Sequence, residues 1–356
     1  MNRTRLEQKF SELQFDALIS EAPQTRLWYA EVATSDGYII IEKEKAYLFV
    51  DARYIEYCRN NAKNVEVILL KPGTLKEFLA TKNYKKIAYE DDYLKVETHK
   101  LLQSLSPNSE SIFIKGQELR IVKSNDEIEK MQKSIDISMR AYNRIVSWLK
   151  EGMSEKEVDR KLNYFLKQEG ADKESFDNII AFGPNAAEPH HHPTDRKLVY
   201  GDIVKIDFGA LYKGYCADIT RTHIFGGKEN ANNKKLVEIM TIVEEAAKRG
   251  RDAVKPGMTG AEIDKICRDY ITEKGYGEYF AHSTGHGLGI DVHELPYVSS
   301  RSHIVFEPGM VVTVEPGIYI EGLGGARDEN DVLVTKEGHK ILSYNIKTKI
   351  VNAIKK

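Results

Sequence analysis

The chain has 356 residues, of which 41% are hydrophobic and 30% are charged, and its formal net charge is −2. This composition is typical of a globular protein with a sizeable core, and the length favours two domains. The small net charge and the lack of an apolar run of roughly 18 residues give no reason to expect nucleic acid or a membrane as a partner. The three cysteines are odd in number and far apart, and the N-terminus lacks an apolar signal segment, so the sequence predicts a cytoplasmic protein with free thiols.

The first part of the chain, residues 1–118, predicts a small α/β domain. Apolar runs with strand character alternate with segments of helical periodicity. The predicted strands are 17–20, 38–41, 46–50, 65–70 and 86–89, and the predicted helices are 53–61, 74–81 and 96–105. Asp51 and Arg53 are interpreted as a structural ion pair at a strand end, and no residue of this domain is predicted to be catalytic.

The second part, residues 119–356, is predicted to begin with a long helix. Ser124 and Glu127 have the spacing of a capping box, and an amphipathic pattern follows over 125–149. The apolar side of this helix contains methionines, and a stripe of this kind forms core packing far more often than a cofactor site.

An internal repeat follows this helix. The segment KEGMSEKEVD at 150–159 is similar to KPGMTGAEID at 255–264, an offset of 105 residues. Each copy predicts a helix with a capping box at its start and a glycine, Gly170 or Gly275, just after its end. The two predicted capping boxes are Ser154 with Glu157 and Thr259 with Glu262.

The segment GDIVKIDFGALYKGYCADITRT predicts a β-hairpin. Its first strand alternates apolar residues with Lys205 and Asp207, and Gly209 and Gly214 are predicted to bracket the turn. The return strand carries Asp218, which could face Asp207. A carboxylate in the middle of an apolar strand is disfavoured and costly to bury without a partner, so these two acids require a compensating charge.

The repeat supplies a second pair of acids. GDIVKIDFG aligns with GMVVTVEPG without a gap, which places Glu315 at the position of Asp207, and Glu329 near the counterpart of the second acid. The motif HHHP, which begins at His190, corresponds in the same way to HELP, which begins at His293. Two similar halves imply a pseudo-twofold arrangement in which both pairs of carboxylates meet near the local axis.

Four converging carboxylates would repel strongly, and two divalent cations offset their charge whereas a single arginine does not. Oxygen-rich ligation favours Mn²⁺, Co²⁺ or Fe²⁺ over a thiolate-loving zinc site. His286, in the glycine-rich loop STGHGLG, is the imidazole best placed to complete the set. Each acid alone would more often have a structural partner, and the HHHP cluster alone would be a polar loop. HELP is not the H-E-x-x-H motif, because Tyr297 replaces the second histidine and Pro296 would break the helix.

The sequence resembles the pita-bread metallopeptidases of the proline-directed branch, which comprises prolidase (Xaa-Pro dipeptidase) and aminopeptidase P. The motifs DFGALYKGYCADITRT, HSTGHGLGIDVHELP, VVTVEPGIY and GGARDENDVLV carry this resemblance, which covers essentially the whole chain. It implies an α/β (α+β) fold with a creatinase-type N-terminal domain at 1–118 and a pseudo-twofold pita-bread catalytic domain at 119–356.

The resemblance also implies roles for particular residues. Asp207 would bind one metal, His286 and Glu315 the other, and Asp218 and Glu329 would bridge them. Catalytic roles are expected for His190, His293 and Glu315, and substrate binding is expected for His282 and Arg327.

The expected function is hydrolysis of the Xaa-Pro bond of dipeptides or peptide N-termini by a hydroxide bridging two divalent metals. The metal is expected to be Mn, with Co, Fe or Zn possible, and the family resemblance suggests a homodimer. A methionine aminopeptidase and a non-catalytic pita-bread binding module are the alternatives. Two departures from the family stand out: Asp328 replaces a commonly apolar residue, and the N-domain stretch EVATSDGYI keeps only Gly37 of a glycine-rich motif.

Overall fold

The computed structural model describes residues 1–343. Contacts between Cα atoms divide the chain into two compact units, Met1–Ile121 and a second unit that begins at Val122. The sequence-based boundary of 118/119 lies just before this division. Within the described residues, no helix is both long enough and apolar enough to cross a membrane.

The first unit is a six-stranded mixed sheet in the order β4-β3-β2-β1-β5-β6, flanked by helices. The strands are β1 Ala17–Ser20, β2 Tyr38–Glu42, β3 Ala46–Val50, β4 Glu66–Leu69, β5 Lys86–Glu90 and β6 Glu110–Ile114. The helices are α1 Thr4–Leu13, α2 Pro23–Ala30, α3 Ile55–Asn61, α4 Thr74–Ala80, α5 Val96–Leu105 and α6 Gly116–Leu119.

All five strands and all three helices predicted for this unit are present, but β6, α1, α2 and α6 were not predicted. Strand β6 lies at the sheet edge, where Phe113 is half exposed, so it lacks the continuous apolar run that marks the inner strands. The ion pair of Asp51 and Arg53 is confirmed, with 2.7 Å between Oδ2 and Nη2.

The second unit contains four long helices and thirteen strands in the described residues. The helices are α7 Asn125–Trp148, α8 Glu155–Gln168, α9 Lys234–Ala253 and α10 Gly260–Glu273. The strands of the first half are β7 Lys173–Glu174, β8 Ile179–Phe182, β9 Ile203–Phe208, β10 Ala210–Tyr212, β11 Tyr215–Cys216 and β12 Ile219–Ile224. Those of the second half are β13 Gly285–Gly287, β14 Glu294–Val298, β15 Val311–Val314, β16 Gly317–Ile320, β17 Gly324–Arg327, β18 Asn330–Val334 and β19 His339–Ile341.

The internal repeat of the sequence is visible in this order of elements. In each half a helix pair, α7–α8 or α9–α10, precedes the strands, and the predicted capping boxes are all formed. The residue that caps the second helix makes an equivalent isolated bridge in both halves, Ser154 to Lys197 and Thr259 to Val305. The predicted two-domain α/β architecture with a duplicated second domain is therefore confirmed.

The predicted hairpin is formed, but it is divided between two sheets. Strands β9 and β12 pair antiparallel beside β8, while its tip, β10–β11, joins β7 in a separate three-stranded sheet. The turn is the pair Lys213 and Gly214, both at positive φ, so Gly209 does not belong to it. Gly209 lies where the hairpin passes between the sheets, and a Cβ there would be 1.8 Å from the carbonyl oxygen of Ala217.

The alternation predicted for β9 does not separate core from solvent, because all six of its residues are buried. Val204, Ile206 and Phe208 pack in the core formed with α7 and α8. The opposite face is covered by the 183–194 loop, so Lys205 is fully buried and its Nζ donates to the carbonyl oxygen of Ala186 at 3.2 Å.

Candidate metal centre and active site

One cavity of about 380 Å³ brings together all nine residues predicted to act in the site. Both halves of the repeat contribute to its walls. The other lining residues are Phe176, Asp177, Ile179, His191, His192, Ser283, Val292 and Tyr297. A cleft with an apolar side and convergent ionisable groups is the usual form of an enzyme active site.

The ends of paired strands place the four acids. Asp207 lies on β9 and Asp218 directly precedes β12, while Glu315 follows β15 and Glu329 directly precedes β18. Within each half these strands pair antiparallel, so the two acids of a half are neighbours. The strand registers of the two halves differ. In the first half Asp207 pairs with Thr220, two positions beyond Asp218. In the second half the register brings Glu315 and Glu329 opposite each other.

His286 lies in the middle of strand β13, between β14 and β15, and not in a loop as predicted. The glycines beside it allow neighbouring strands to approach closely. A Cβ at Gly285 would be 2.1 Å from the carbonyl oxygen of Thr313, and one at Gly287 would be 2.3 Å from that of Leu295. Backbones can approach this closely only without side chains, so glycine is required on both sides of the histidine.

The imidazole of His286 faces the carboxylates. Its Nδ1 donates to the carbonyl oxygen of Gly287 at 3.1 Å, which leaves Nε2 as the atom directed at the acids. Nε2 lies 3.3 Å from Oε1 of Glu315 and 3.5 Å from Oδ2 of Asp218. A backbone acceptor on one ring nitrogen is the usual arrangement of a metal-ligating histidine.

Three overlapping groups of potential metal ligands occur here among the described residues. The donor atoms of each group lie within 4.8 Å of one another. The groups are Asp218, His286 and His293; His286, Glu315 and Glu329; and Asp207, Asp218 and Glu329. Because the three groups share members, they could hold two neighbouring cations. His293, predicted to be catalytic, lies at the edge of this set.

The electrostatics of the site show that negative charge is in excess. Burial, reinforced by the repulsion of neighbouring carboxylates, raises the pKa of Asp218 and of Glu329 well above their ordinary values. Burial also raises the pKa of Asp207, against the attraction of Arg327. Burial pushes the pKa of Glu315 upward too, but the hydrogen bond and charge of His286 outweigh it and lower that pKa to about 2.

Two carboxylate oxygens at the centre accept no hydrogen bond from any described residue. They are Oδ1 of Asp207 and Oε1 of Glu329, and both are buried. Buried acceptors normally have partners, and an oxygen without one points to an absent ion or water. Four carboxylates, an imidazole and two unsatisfied oxygens fit hard divalent cations, and the donor set contains no thiolate.

Arg327 and threonine hydroxyls supply the remaining contacts of the acids. The guanidinium of Arg327 makes a short contact from Nη2 to Asp207 and donates from Nε to Oγ1 of Thr220 at 2.8 Å. The Thr220 hydroxyl donates to Oε2 of Glu329 at 2.7 Å, and the Thr313 hydroxyl lies 3.3 Å from Glu315. These hydrogen bonds fix the orientation of the carboxylates.

His282 and Arg327 are joined by Tyr319. The Tyr319 hydroxyl lies 2.8 Å from Nε2 of His282 and accepts from Nη1 of Arg327 at 3.1 Å. Nδ1 of His282 donates to the carbonyl oxygen of Ser283, so Nε2 accepts from the tyrosine. Burial raises the pKa of Tyr319 to about 12, which keeps the hydroxyl protonated.

Asp328, the acid that departs from the family pattern, contacts arginines and does not line the cavity. Its Oδ2 accepts from Nη1 of Arg251 on α9 at 2.9 Å, and its Oδ1 lies 3.8 Å from Nη1 of Arg221. The extra acid of this chain is therefore a partner of two buried arginines and not a further ligand.

Sequence reasoning missed several residues of the site. Tyr319 lies four residues after Glu315 in the EPGIY segment, and its position beside a candidate ligand is a signal that was available. Thr220 shares a strand face with Asp218, so its contact with the acids was also inferable. The aromatic and aliphatic wall formed with Phe176 had no signal in the sequence, because it comes from an irregular segment.

Known proteins similar to this chain were identified by sequence and by structure. The model of metallopeptidase family M24 matches residues 129–336, and the creatinase/prolidase N-terminal domain matches residues 3–122. The Xaa-Pro dipeptidase of Pyrococcus furiosus is 41% identical over 309 residues, which cover 86% of this chain and 87% of the relative.

Two solved structures are similar over nearly their whole length. A structure titled Xaa-Pro dipeptidase from Bacillus anthracis has a TM-score of 0.89 at 38% identity and covers 96% of this chain and 97% of its own. The X-Pro aminopeptidase from Thermotoga maritima has a TM-score of 0.87 at 35% identity and covers 94% and 97% respectively. The chain therefore belongs to metallopeptidase family M24, and it carries the creatinase/prolidase N-terminal domain of the proline-directed members.

Proposed function

We propose that this protein hydrolyses the bond between an N-terminal residue and a following proline, in dipeptides or at the start of longer peptides. The observation that carries the proposal is the convergence of four carboxylates and His286 in one cavity, with two buried carboxylate oxygens unsatisfied. The similar proteins named Xaa-Pro dipeptidase and X-Pro aminopeptidase support the choice of substrate.

The proposed cofactor is a pair of divalent metal ions, Mn²⁺ in the first instance, with Co²⁺, Fe²⁺ or Zn²⁺ as alternatives. Asp207 would hold one ion, His286 and Glu315 the other, and Asp218 and Glu329 would be shared. Such ions make water nucleophilic at neutral pH and polarise a substrate carbonyl.

Three residues are proposed to act on the substrate directly. Glu315, a carboxylate of the central cluster, would accept a proton from the attacking water and deliver it to the leaving proline nitrogen. His293, next to His286 with 4.3 Å between ring centroids, would donate to the developing oxyanion. His190 lines the same cavity and is proposed to assist in proton transfer or substrate contact.

His282 and Arg327 are proposed to bind the far end of the substrate, either its carboxylate or a backbone carbonyl. Both line the cavity and both contact the Tyr319 hydroxyl, so a substrate oxygen would replace that hydroxyl as their partner. Because proline offers no amide N–H, the site must recognise this end through oxygens and shape.

Homodimerisation and a cytoplasmic location are further proposals. The family resemblance supports the dimer, and the three buried free cysteines suit a reducing compartment. Sedimentation of the purified chain and fractionation of cells that produce it would test these two proposals.

The decisive experiment is reconstitution of the metal-free protein. Mn²⁺ should restore hydrolysis of an Xaa-Pro dipeptide or an Xaa-Pro-Xaa tripeptide, with two ions bound per chain. Glu315→Gln should lower turnover by at least a hundredfold, whereas Glu321→Gln, an exposed glutamate in the neighbouring turn, should not. A fully loaded protein that cleaves neither proline peptide would overturn the proposal.

The same assay separates the alternatives. Cleavage of a Met-leading peptide without proline would indicate a methionine aminopeptidase, and metal-free protein that binds peptides without turnover would indicate a binding module. Comparing the dipeptide with the tripeptide distinguishes dipeptidase from aminopeptidase action, and comparing Mn²⁺ with Co²⁺ and Zn²⁺ identifies the preferred ion.

A further inference from the structure

His190 and His293 occupy corresponding positions of the repeat, and their surroundings are similar as well. Each lines the cavity and is exposed, and each is followed in the chain by a buried ionisable residue. His191 is 4% exposed and Glu294 is fully buried. A buried polar side chain next to an active-site group requires a partner, and each of these two has one from a distant part of the chain.

In the first half the partner is Glu155, which begins α8 and is fully buried. Its Oε2 lies 2.9 Å from Nε2 of His191 and accepts from the amide and hydroxyl of Thr194 at 2.8 and 2.6 Å. Its Oε1 accepts from the amide of Phe182 and from the side chain of Asn185. One carboxylate thus ties both ends of the loop that carries His190.

His191 itself has no ring nitrogen left for chemistry. Nε2 is held by Glu155 and Nδ1 lies 2.6 Å from Oε2 of Glu188. Although it contributes to the cavity wall, it is therefore a poor candidate for a ligand or a base. Its two neighbours, His190 and His192, line the cavity as well, and both are exposed.

In the second half the partner is Lys123, just before α7. Its Nζ lies 3.1 Å from Oε2 of Glu294, and both side chains are almost completely buried. Oε1 of Glu294 also accepts from the amides of Ile290 and Asp291 at 3.1 Å each. This carboxylate therefore ties the turn before β14 to the start of the strand, directly beside His293.

We propose that two buried pairs, Glu155 with His191 and Lys123 with Glu294, are positioning residues that hold His190 and His293 in their working orientation. His190 lies in a turn and His293 in a bend, and each is joined by one peptide bond to the buried residue that follows it. Fixing residue 191 or 294 in the interior therefore restricts the backbone, and with it the position, of the preceding histidine at the cavity wall. The inference rests on the proposed peptidase function, and it assigns each pair to one histidine.

A crossed set of double-mutant cycles tests this assignment. In Glu155→Gln the amide NH2 group replaces a carboxylate oxygen that accepts hydrogen bonds, so a donor would face donors. Glu294→Gln makes the same change in the other half. Each single variant should lower kcat and kcat/KM together, by about ten- to a hundredfold, with KM changed less than about threefold, because the lost contact acts in the transition state.

The couplings should be specific. In a His190→Ala background, Glu155→Gln should have almost no further effect, whereas Glu294→Gln should keep its full effect. In a His293→Ala background the pattern should reverse. A pair that merely stabilised the fold would lower activity equally in both backgrounds. The proposal would therefore be overturned if Glu155→Gln lowered activity as much in the His190→Ala background as in the His293→Ala background, or if Glu294→Gln did so.

Two physical readouts accompany the kinetics. Each variant should still bind two metal ions per chain, and a loss of metal content would contradict the assignment to the histidines. Glu157→Gln, an exposed acid in the same helical turn, is the matched control and should lower thermal stability slightly with kcat unchanged. If Glu155→Gln does not fold, His191→Gln serves in its place, and Lys123→Met replaces Glu294→Gln.

The outcomes also separate this inference from the proposed function. Wild-type protein with two ions that cleaves no proline peptide would refute the function itself. Active wild-type protein with additive cycles would refute only the positioning role.

Discussion

Replacing Asp218 by Asn is expected to stabilise the metal-free protein and to abolish metal-dependent turnover. The carboxylate oxygens of Asp207, Asp218 and Glu329 lie within 4.8 Å of one another. Two unit charges at that distance repel by about 3.5 kcal/mol at an effective dielectric constant of about 20. Together with burial, this repulsion holds the pKa of Asp218 well above its ordinary value of 3.8.

The size of the effect follows from the proton that the folded state retains. Folded Asp218 either retains a proton that an unfolded aspartate releases or is ionised beside its neighbours, and the repulsion of about 3.5 kcal/mol from one neighbour sets the scale of this cost. Asn binds no proton and removes this cost. We expect a net gain of about 1–3 kcal/mol in the free energy of unfolding, because the amide will find imperfect hydrogen-bond partners. This gain corresponds to a rise in Tm of about 2–12 °C.

The sign of the pH dependence can be checked in the same material. An acid with a raised pKa binds more protons in the folded state, so metal-free wild-type protein should lose stability as the pH rises from about 4 towards 7. Asp218→Asn should lose less over that range. Calorimetry after exhaustive chelation, at pH 5, 6 and 7, measures both slopes.

Addition of Mn²⁺ should then reverse the order of stability. Wild-type protein should gain stability and activity, and Asp218→Asn should gain neither. Asp269→Asn, which removes an exposed acid paired with Lys265, is the control and should change the stability by less than about 1 kcal/mol. If the folded, metal-free Asp218→Asn protein is no more stable than wild type at pH 7, or if it binds two ions and turns over normally, the reasoning is refuted.

Three further substitutions test other parts of the structure. Gly285→Ala should cost several kcal/mol and lower metal content, because its Cβ would lie 2.1 Å from the carbonyl oxygen of Thr313, and metal analysis would show the loss. Thr259→Ala should lower the free energy of unfolding by about 1 kcal/mol through loss of a helix cap, with kcat unchanged. Asp328→Asn should weaken the buried contact with Arg251 and lower stability by about 2–4 kcal/mol while two ions are still bound, as calorimetry and metal analysis would show.

Local patterns determined most of the elements. The capping boxes and the glycines after the helices predicted α8 and α10 to within a residue or two, because caps and helical periodicity are properties of neighbouring residues. The strands of the first unit were predicted for the same reason. Strand β6 and the short helix α6 were missed, since their stability comes from packing against the sheet and not from their own sequence.

The tertiary structure decided what the strands do. The sequence predicted the hairpin, but only the fold placed β10–β11 in a different sheet from β9. The fold also buried both faces of β9, so the alternation of apolar and polar residues does not make Lys205 exposed. The glycine-rich stretch around His286 reads as a loop, and it becomes a strand because two neighbouring backbones pair with it.

For the site, the duplicated sequence was sufficient to nominate four carboxylates, because two similar halves imply that equivalent strands meet, and the glycine-rich stretch STGHGLG nominated the histidine. Other features of the site depend on contacts between residues far apart in the chain. These are the carboxylate oxygens that lack a hydrogen bond, the link between Arg327 and His282 through Tyr319, and the pairing of His191 with Glu155. Such contacts leave no local pattern in the sequence, since they are set by the packing of elements and not by the spacing of residues within them.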